Sequence, residues 1–464
     1  MRARLAVSVV ALLAGCRTAT PGPAPMAIPD HGVVGVGPEQ LQPAFWTGQQ
    51  ARPDRVILTP AAIASQNSAL LERDSSVYDL ERLPATLSRD RVRHWVERLS
   101  QAPGRQQYDE HGDSVSAAQM AALVAAVQPD AIPAEQPLRF GLVTQRASLR
   151  TFPTRLRVFG GRGNTDIDRF QETALFPGTP VVVVHESRDG QWWFVVSQTY
   201  AAWVEKGFIA EGTRDQVLGY ARKTPFVVVT GAKARTVFTP ERPAVSELQL
   251  DMGTRVPVLA DWPANGPVNG QNPYTGRVIE LPVRTATGGL ELVPALLPGT
   301  ADVSGDYLTL TPATLLRQAF KFLGERYGWG DSYNGRDCSG FVSDVYRSFG
   351  VDLPRNTGDQ ANSPVLNRVA FTDADARERR LAVLRDAQPG DLVYIPGHVM
   401  MVIGHIGDVT YIIHDVTGIG YLGADGTPVR VGLNAVSVTP LTTLASSPTR
   451  TWVDNIRSIQ RIRP

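Results

Sequence analysis

The stretch Tyr327-Gly-Trp-Gly-Asp-Ser-Tyr-Asn-Gly-Arg-Asp-Cys-Ser-Gly-Phe-Val decides the reading of this 464-residue chain. It is glycine-rich up to Cys338, after which Phe341, Val342, Val345, Tyr346 and Phe349 recur at helical spacing. The cysteine is therefore expected at a helix start, with Asp337 as the cap. A helix N-terminus carries about half a positive charge and free backbone donors, which favour thiolate over thiol and make such a sulfur nucleophilic near neutral pH. A free cysteine that merely packs a helix is the competing reading.

A nucleophilic sulfur needs a base, and the histidines are unevenly placed: four lie before residue 186, while His398, His405 and His414 follow the cysteine. Gln388-Pro-Gly-Asp-Leu-Val-Tyr-Ile reads as a turn and a strand, and His398 opens the next apolar run, Val399 to Ile403. His414 sits in the run after that, Thr410 to Val416. Antiparallel pairing about Gly407 would make His398 and His414 neighbours, so that one imidazole can orient the other. His405, nearer the turn, is expected to be a solvent-facing loop histidine.

Asp337-Cys-Ser-Gly-Phe-Val, Leu353-Pro-Arg, Gln388-Pro-Gly-Asp-Leu-Val and Gly397-His-Val together resemble the NlpC/p60 cysteine peptidases in order and spacing over residues 311 to 464. The resemblance implies a papain-like α+β domain with Cys338 as nucleophile, His398 as general base and His414 as the orienting residue. Tyr327, in Tyr-x-Trp-Gly, matches a tyrosine that helps shape the oxyanion region. The wider arrangement resembles the γ-D-glutamyl-L-diamino acid endopeptidases of that family, which cut murein peptides bearing a free N-terminal L-Ala. By the same resemblance Asp337, Ser339 and Tyr200 bind the substrate's amino end, and an acidic partner in the first barrel is implied without a position. Neither His-Glu-x-x-His nor paired Cys-x-x-Cys occurs, so no metal or other cofactor is expected. Two other functions fit the same residues: a non-catalytic wall-binding lipoprotein, and an amidase or acyltransferase using the same triad.

Upstream, the patterns predict a multidomain α+β chain. Residues 44–133 read as a helical unit: Ser88 caps a helix carrying Val92, Trp95, Val96 and Leu99, and Ser116 with Gln119 forms a capping box before Met120, Leu123, Val124 and Val127. Period-two patterns follow, including a hairpin from Val181–Val184 to Trp192–Val196 across Arg188-Asp189-Gly190. A weak echo joins Arg150-Thr151-Phe152 and Gly178-Thr179 to Arg235-Thr236, Phe238 and Gly253-Thr254, predicting two related small barrels at 134–220 and 221–304, which the family resemblance implies are SH3-like. Gly160-Gly161-Arg162-Gly163 is a turn, since it lacks the endings of a nucleotide loop. Thr311 and Pro312 open the last domain, 305–464.

The first residues carry a separate signal: Arg2 and Arg4, an apolar run from Leu5 to Leu13, then Leu13-Ala-Gly-Cys16. The run is too short to span a bilayer of ~30 Å and reads as an export signal over 1–15. Resemblance to bacterial lipoprotein precursors implies lipidation of Cys16, and Arg17, rather than Asp, favours the outer membrane facing the periplasm in a Gram-negative cell. Residues 16–43, rich in Pro, Gly and Ala, are expected to form a flexible tether. With only two cysteines, one of them lipidated, no internal disulfide is expected. Forty-six basic and forty-five acidic side chains leave a net charge of +1, which gives no field favouring nucleic acid. The expected partners are a murein peptide and, through the lipid, a membrane; no obligate protein partner is evident.

Overall fold

Helix caps set the N-terminal third. In the computed structural model, which describes residues 22–463, Thr59 accepts the Ala62 N–H and starts α2 (Pro60–Arg73), after the short α1 (Pro43–Gly48). Ser88 precedes α3 (Arg89–Leu99), and the Ser116–Gln119 capping box closes in both directions on α4 (Ala117–Val127). These helices do not enclose a core of their own. Trp46 and Ile63 of α1 and α2 join the core of the C-terminal domain, whereas Val92, Val96 and Val127 of α3 and α4 join Phe140, Phe194 and Trp203 of the first barrel. Helices of 6 to 14 residues present too little apolar surface to stand alone, so the expected unit at 44–133 is divided between its neighbours.

The first barrel is a seven-stranded antiparallel sheet that contains the expected hairpin, Pro180–Glu186 against Trp192–Val196. Helix α5 (Arg214–Tyr220) ends it. The second barrel wraps Val227, Val229, Ile279, Leu281 and Leu297 with three small sheets, the longest being the hairpin Gly276–Arg284 with Leu290–Pro298. The sequence echo has a physical basis in both. Gly178 and Gly253 each adopt a left-handed φ, of 84° and 80°, one residue ahead of their threonine. A Cβ would come within 2.6 Å of Tyr220 at Gly178 and 2.7 Å of Arg347 at Gly253, so each echoes a turn that only glycine enters.

The C-terminal domain begins with α6 (Pro312–Phe320), capped by Thr311, and α7 (Cys338–Arg347). Next come α8 (Thr357–Asn362) and α9 (Arg377–Arg385). They pack on a six-stranded antiparallel sheet whose order is 367–370, 458–461, 392–395, 398–406, 409–422 and 428–440. Leu315, Leu316, Phe341 and Val345 meet Val399, Met401 and Ile413 on one face; Leu384 and Trp452 meet Met400, Val402 and Ile412 on the other.

The export signal 1–15 and Cys16 lie outside the described residues. The flexible tether expected over 16–43 is corrected for 22–42. The Met26 N–H donates to Leu422 O at 2.9 Å, the Val34 N–H to Tyr421 Oη, and Tyr411 Oη to Gly35 O at 2.7 Å. Met26, Ile28, Val33 and Val34 pack on the sheet's outer face. Apolar residues laid down by an extended strap need no helical or strand period, which is why the sequence pattern missed them. Among the described residues no helix is long and apolar enough to cross a membrane.

Asp251, fully buried in the second barrel, fastens the three domains together. It accepts Arg146 of the first barrel at 2.8 Å and Arg336 of the C-terminal domain at 3.0 Å. Hydrogen exchange followed by mass spectrometry tests the strap: the Met26 amide should exchange at least about tenfold more slowly than in a free peptide. Exchange at the free-peptide rate would return residues 22–42 to a tether.

Candidate active site

Cys338 is the first residue of α7, and Asp337 caps that helix by accepting the Gly340 N–H at 2.8 Å. The sulfur lies 3.6 Å from Thr357 Oγ1, and the backbone N–H of Val399 also points at it, so it sits against the first residues of the 398–406 strand. Among the described residues no hydrogen bond joins the sulfur to a ring nitrogen of His398. The 398–406 and 409–422 strands pair with Ile406 opposite Val409, as the turn at Gly407 predicts. The two rings meet diagonally across that pair, His398 Nε2 to His414 Nδ1 at 2.8 Å, and His414 Nε2 continues to Thr439 Oγ1 at 2.9 Å. Trp452 stands edge-on to both rings at 5.6 and 5.8 Å. With Nε2–H of His398 donating to His414 and Nε2–H of His414 donating to Thr439, Nδ1 of His398 is the nitrogen left to accept a proton.

The resting charge differs from the sequence expectation. Burial, and after it the Asp337 carboxylate, push the Cys338 thiol up to about 12, against the smaller opposing effects of Thr357 and Val399. Burial lowers His398 to about 4 and His414 well below the usual imidazole range. The free site thus holds a thiol and two neutral imidazoles, not the thiolate that a helix start suggested. The main reason is burial, and the cap adds to it, because the residue that occupies a helix donor also places a negative charge beside the sulfur.

Arg355 organises the flank. Its Nε donates to Thr173 Oγ1 of the first barrel at 2.5 Å, Nη1 to Asp337 Oδ1 and Ser339 Oγ, and Nη2 to Asp331 Oδ2 and Asp337 Oδ2. Asp337 therefore receives five donors: these two, the N–H groups of Gly330 and Gly340, and Ser339 Oγ. A carboxylate has about four lone-pair sites, so Asp337 offers no free acceptor to an ammonium in this structure, contrary to the expectation for it, whereas the Ser339 hydroxyl accepts only Arg355 Nη1 and keeps a second lone pair. Tyr200 stands at the same junction, and its hydroxyl donates to Glu172 Oε2. Glu172 also accepts Thr151 Oγ1. The strand carrying Glu172 is clasped to the Tyr327–Cys338 loop by Trp329 Nε1 to Gln171 O at 3.0 Å and Gln171 Nε2 to Gly330 O at 2.8 Å. Burial raises the Tyr327 phenol above its ordinary range, with Cys338 and Asp337 adding to the effect, which places Tyr327 beside the Cys338 sulfur. His405 belongs to the strand and not to a loop, its ring nitrogens meeting Ala387 O and Thr410 Oγ1. A separate cavity of about 300 Å³ lies where α7 meets both barrels, and neither Cys338 nor either site histidine lines it.

Comparison with known proteins agrees with this geometry. Residues 324–421 match the NlpC/P60 family and residues 157–205 an SH3 domain of the SH3b1 type. Residues 324–421 thus form a domain of the NlpC/P60 family. It is 28% identical over 209 residues to a gamma-D-glutamyl-L-lysine dipeptidyl-peptidase of Bacillus cereus, a match covering 42% of this chain and 55% of that protein. The chain thus spans about half the length of that relative. The solved structure of an NlpC/P60 endopeptidase from Photobacterium damselae subsp. piscicida superposes with a TM-score of 0.71 at 17% identity, covering 94% of this chain and 98% of that one. That likeness extends the shared fold to the strap, the helices and both barrels.

Two groups around the site, one from the first barrel and one from the C-terminal domain, escaped the sequence reading. Glu172 had no local motif to mark it, only a carboxylate inside the strand-like Gln171-Glu-Thr-Ala-Leu. Asp415, next to His414, is fully buried and neither of its oxygens has a partner among the described residues. Burial, then Asp337 and Glu325, raise it well above the usual carboxylate range, which favours the neutral acid. The native protein keeps a proton that the unfolded chain releases above the ordinary carboxylate range, and stability therefore falls as pH rises from there. Asp415→Asn cannot ionise, so its melting temperature relative to wild type should climb between pH 5 and pH 8. A difference independent of pH would contradict the neutral-acid assignment.

Proposed function

We propose that the protein is a cell-wall cysteine peptidase that hydrolyses the γ-D-glutamyl–diamino acid bond of murein peptides with a free N-terminal L-Ala. The observation that carries the reading is the continuous chain from Thr439 through His414 to His398, ending at an unpartnered Nδ1 on the strand that also presents Val399 to the Cys338 sulfur. The activity for which the Bacillus cereus relative is named, that of a gamma-D-glutamyl-L-lysine dipeptidyl-peptidase, supports the choice of bond.

In this reading Nδ1 of His398 takes the thiol proton as Cys338 attacks the γ-glutamyl carbonyl, and the imidazolium then protonates the departing amine. Water hydrolyses the thioester with His398 again as base. Because burial disfavours both charged forms, proton transfer and attack proceed together, without a stored ion pair. Backbone donors at the start of α7 and the Tyr327 hydroxyl stabilise the oxyanion, a contribution of ~3 kcal/mol for a well-placed donor. Glu172, with Tyr200, receives the substrate's ammonium; Asp337 and Ser339 act by holding Arg355, and so the barrel, in place. Intact Cys338, His398 and His414 favour this over an inert wall-binding protein. We also place the protein in the cell envelope, held by lipid on Cys16; Cys16→Ala should leave the membrane fraction, and unchanged sedimentation would remove the anchor.

Incubation with L-Ala-γ-D-Glu-diaminopimelate should give cleavage, lost in Cys338→Ala, and the N-acetylated peptide should resist. Equal cleavage of the blocked peptide would end the amine-recognition claim, and products other than the dipeptide would favour an amidase or transferase. The acid limb of kcat/KM should lie below 6.5, toward about 4, since His398 is a base only while neutral. Glu172→Gln should raise KM by about tenfold or more with a smaller change in kcat; an unchanged KM would count against its role.

A further inference from the structure

We infer that the hydroxyl of Thr357 is a further catalytic residue, bonded to the Cys338 sulfur so as to receive its proton's hydrogen bond in the thiol and to donate to the thiolate once that proton has moved to His398. The inference rests on the reading of Cys338 as nucleophile.

Oγ1 of Thr357 is the one side-chain hydrogen-bond partner of the sulfur among the described residues, at 3.6 Å, and the hydroxyl makes no other hydrogen bond there. The second contact to the sulfur, the Val399 N–H, can only donate. The S–H of the resting thiol can therefore point at Thr357, which explains why the sulfur is not bonded to the His398 ring. When Nδ1 of His398 takes the proton, the S–H bond breaks, an N–H bond forms, and the electron pair stays on sulfur. A hydroxyl rotates about its C–O bond at little cost, so Thr357 then turns its O–H to the new anion beside the Val399 N–H. An amide or a carbonyl could not serve both states; a hydroxyl can.

The placement is rigid. Thr357 is the first residue of α8, and fully buried Gln360, one turn on, ties that helix to α7 and its approach through Ser343 Oγ at 3.0 Å and Pro354 O at 2.8 Å. Gln460 of the sheet in turn donates to Gln360 O at 3.0 Å. The branched Cβ of threonine further limits χ1, so Oγ1 stays in place while only its O–H turns when the anion forms.

The test uses the mature-length chain with Cys16 replaced by serine, leaving Cys338 as its one thiol. Thr357→Val keeps the shape and removes the hydroxyl, and Thr357→Ser keeps the hydroxyl. The rate of iodoacetamide alkylation of Cys338 is measured from pH 6 to pH 10, together with kcat and KM on L-Ala-γ-D-Glu-diaminopimelate. Thr357→Val should displace the alkylation profile to higher pH by about one unit and lower kcat about ten- to a hundredfold, with KM within about twofold, because a hydrogen bond to a charged group is lost. Thr357→Ser should restore most of both. If the valine variant does not fold, Thr357→Ala carries the same comparison. A wild-type alkylation profile in the variant lacking the hydroxyl overturns the inference while leaving the peptidase reading intact. Failure of the wild-type chain to cleave the peptide overturns the peptidase reading, and the alkylation profile still judges the Thr357 contact.

Discussion

The guanidinium of Arg355 joins the nucleophile's helix cap to a different domain. Its five N–H donors all have partners: Asp337 and Ser339 at the helix start, Asp331 in the preceding loop, and Thr173 in the first barrel. Burying one cation with two carboxylates is tolerable only because the hydrogen bonds are complete, and the planar fork of arginine, unlike a lysine ammonium, can reach all of them at once. The position of Cys338 and the docking of the barrel are consequently one structural fact. Removing Arg355 would leave Asp331 and Asp337 uncompensated beside the sulfur and free the strand that carries Glu172.

That arrangement sets the electrostatics of the reaction. Asp337 is needed to hold Arg355 and to cap α7, yet its charge opposes a thiolate one residue away. Burial, with Asp337 adding to it at the sulfur, favours the uncharged forms of Cys338, His398, His414 and Asp415. In the proposed reaction charge develops only as the substrate reacts, with the His398 ring, the Val399 amide and the Thr357 hydroxyl placed to meet it. Glu172 stands with Tyr200 on the barrel side, where the proposed function places recognition of a peptide's ammonium.

Much of this was legible in the residues. The helix start at Cys338, the Asp337 cap, the His398–His414 hairpin, the Ser116 capping box and the Trp192–Val196 hairpin all follow from local spacing, and local spacing is what a sequence states directly. What stayed hidden depends on contacts between distant segments. Burial of the thiol reverses the effect of a helix terminus, and burial is a property of the assembled core. Arg355 stood in view within Leu353-Pro-Arg, but its partners come from positions 173, 331 and 337. Met26 and Val34 have no periodicity because they lie on a surface that other strands create, and Glu172 matters only once its barrel is docked.

The most direct test of the central claim is acid-quench mass spectrometry during turnover of L-Ala-γ-D-Glu-diaminopimelate. A site in which Cys338 attacks and His398 relays the proton should show the L-Ala-γ-D-Glu acyl group on the Cys338 peptide and on no other. Turnover that leaves Cys338 unmodified, and that survives its replacement by alanine, would contradict the account.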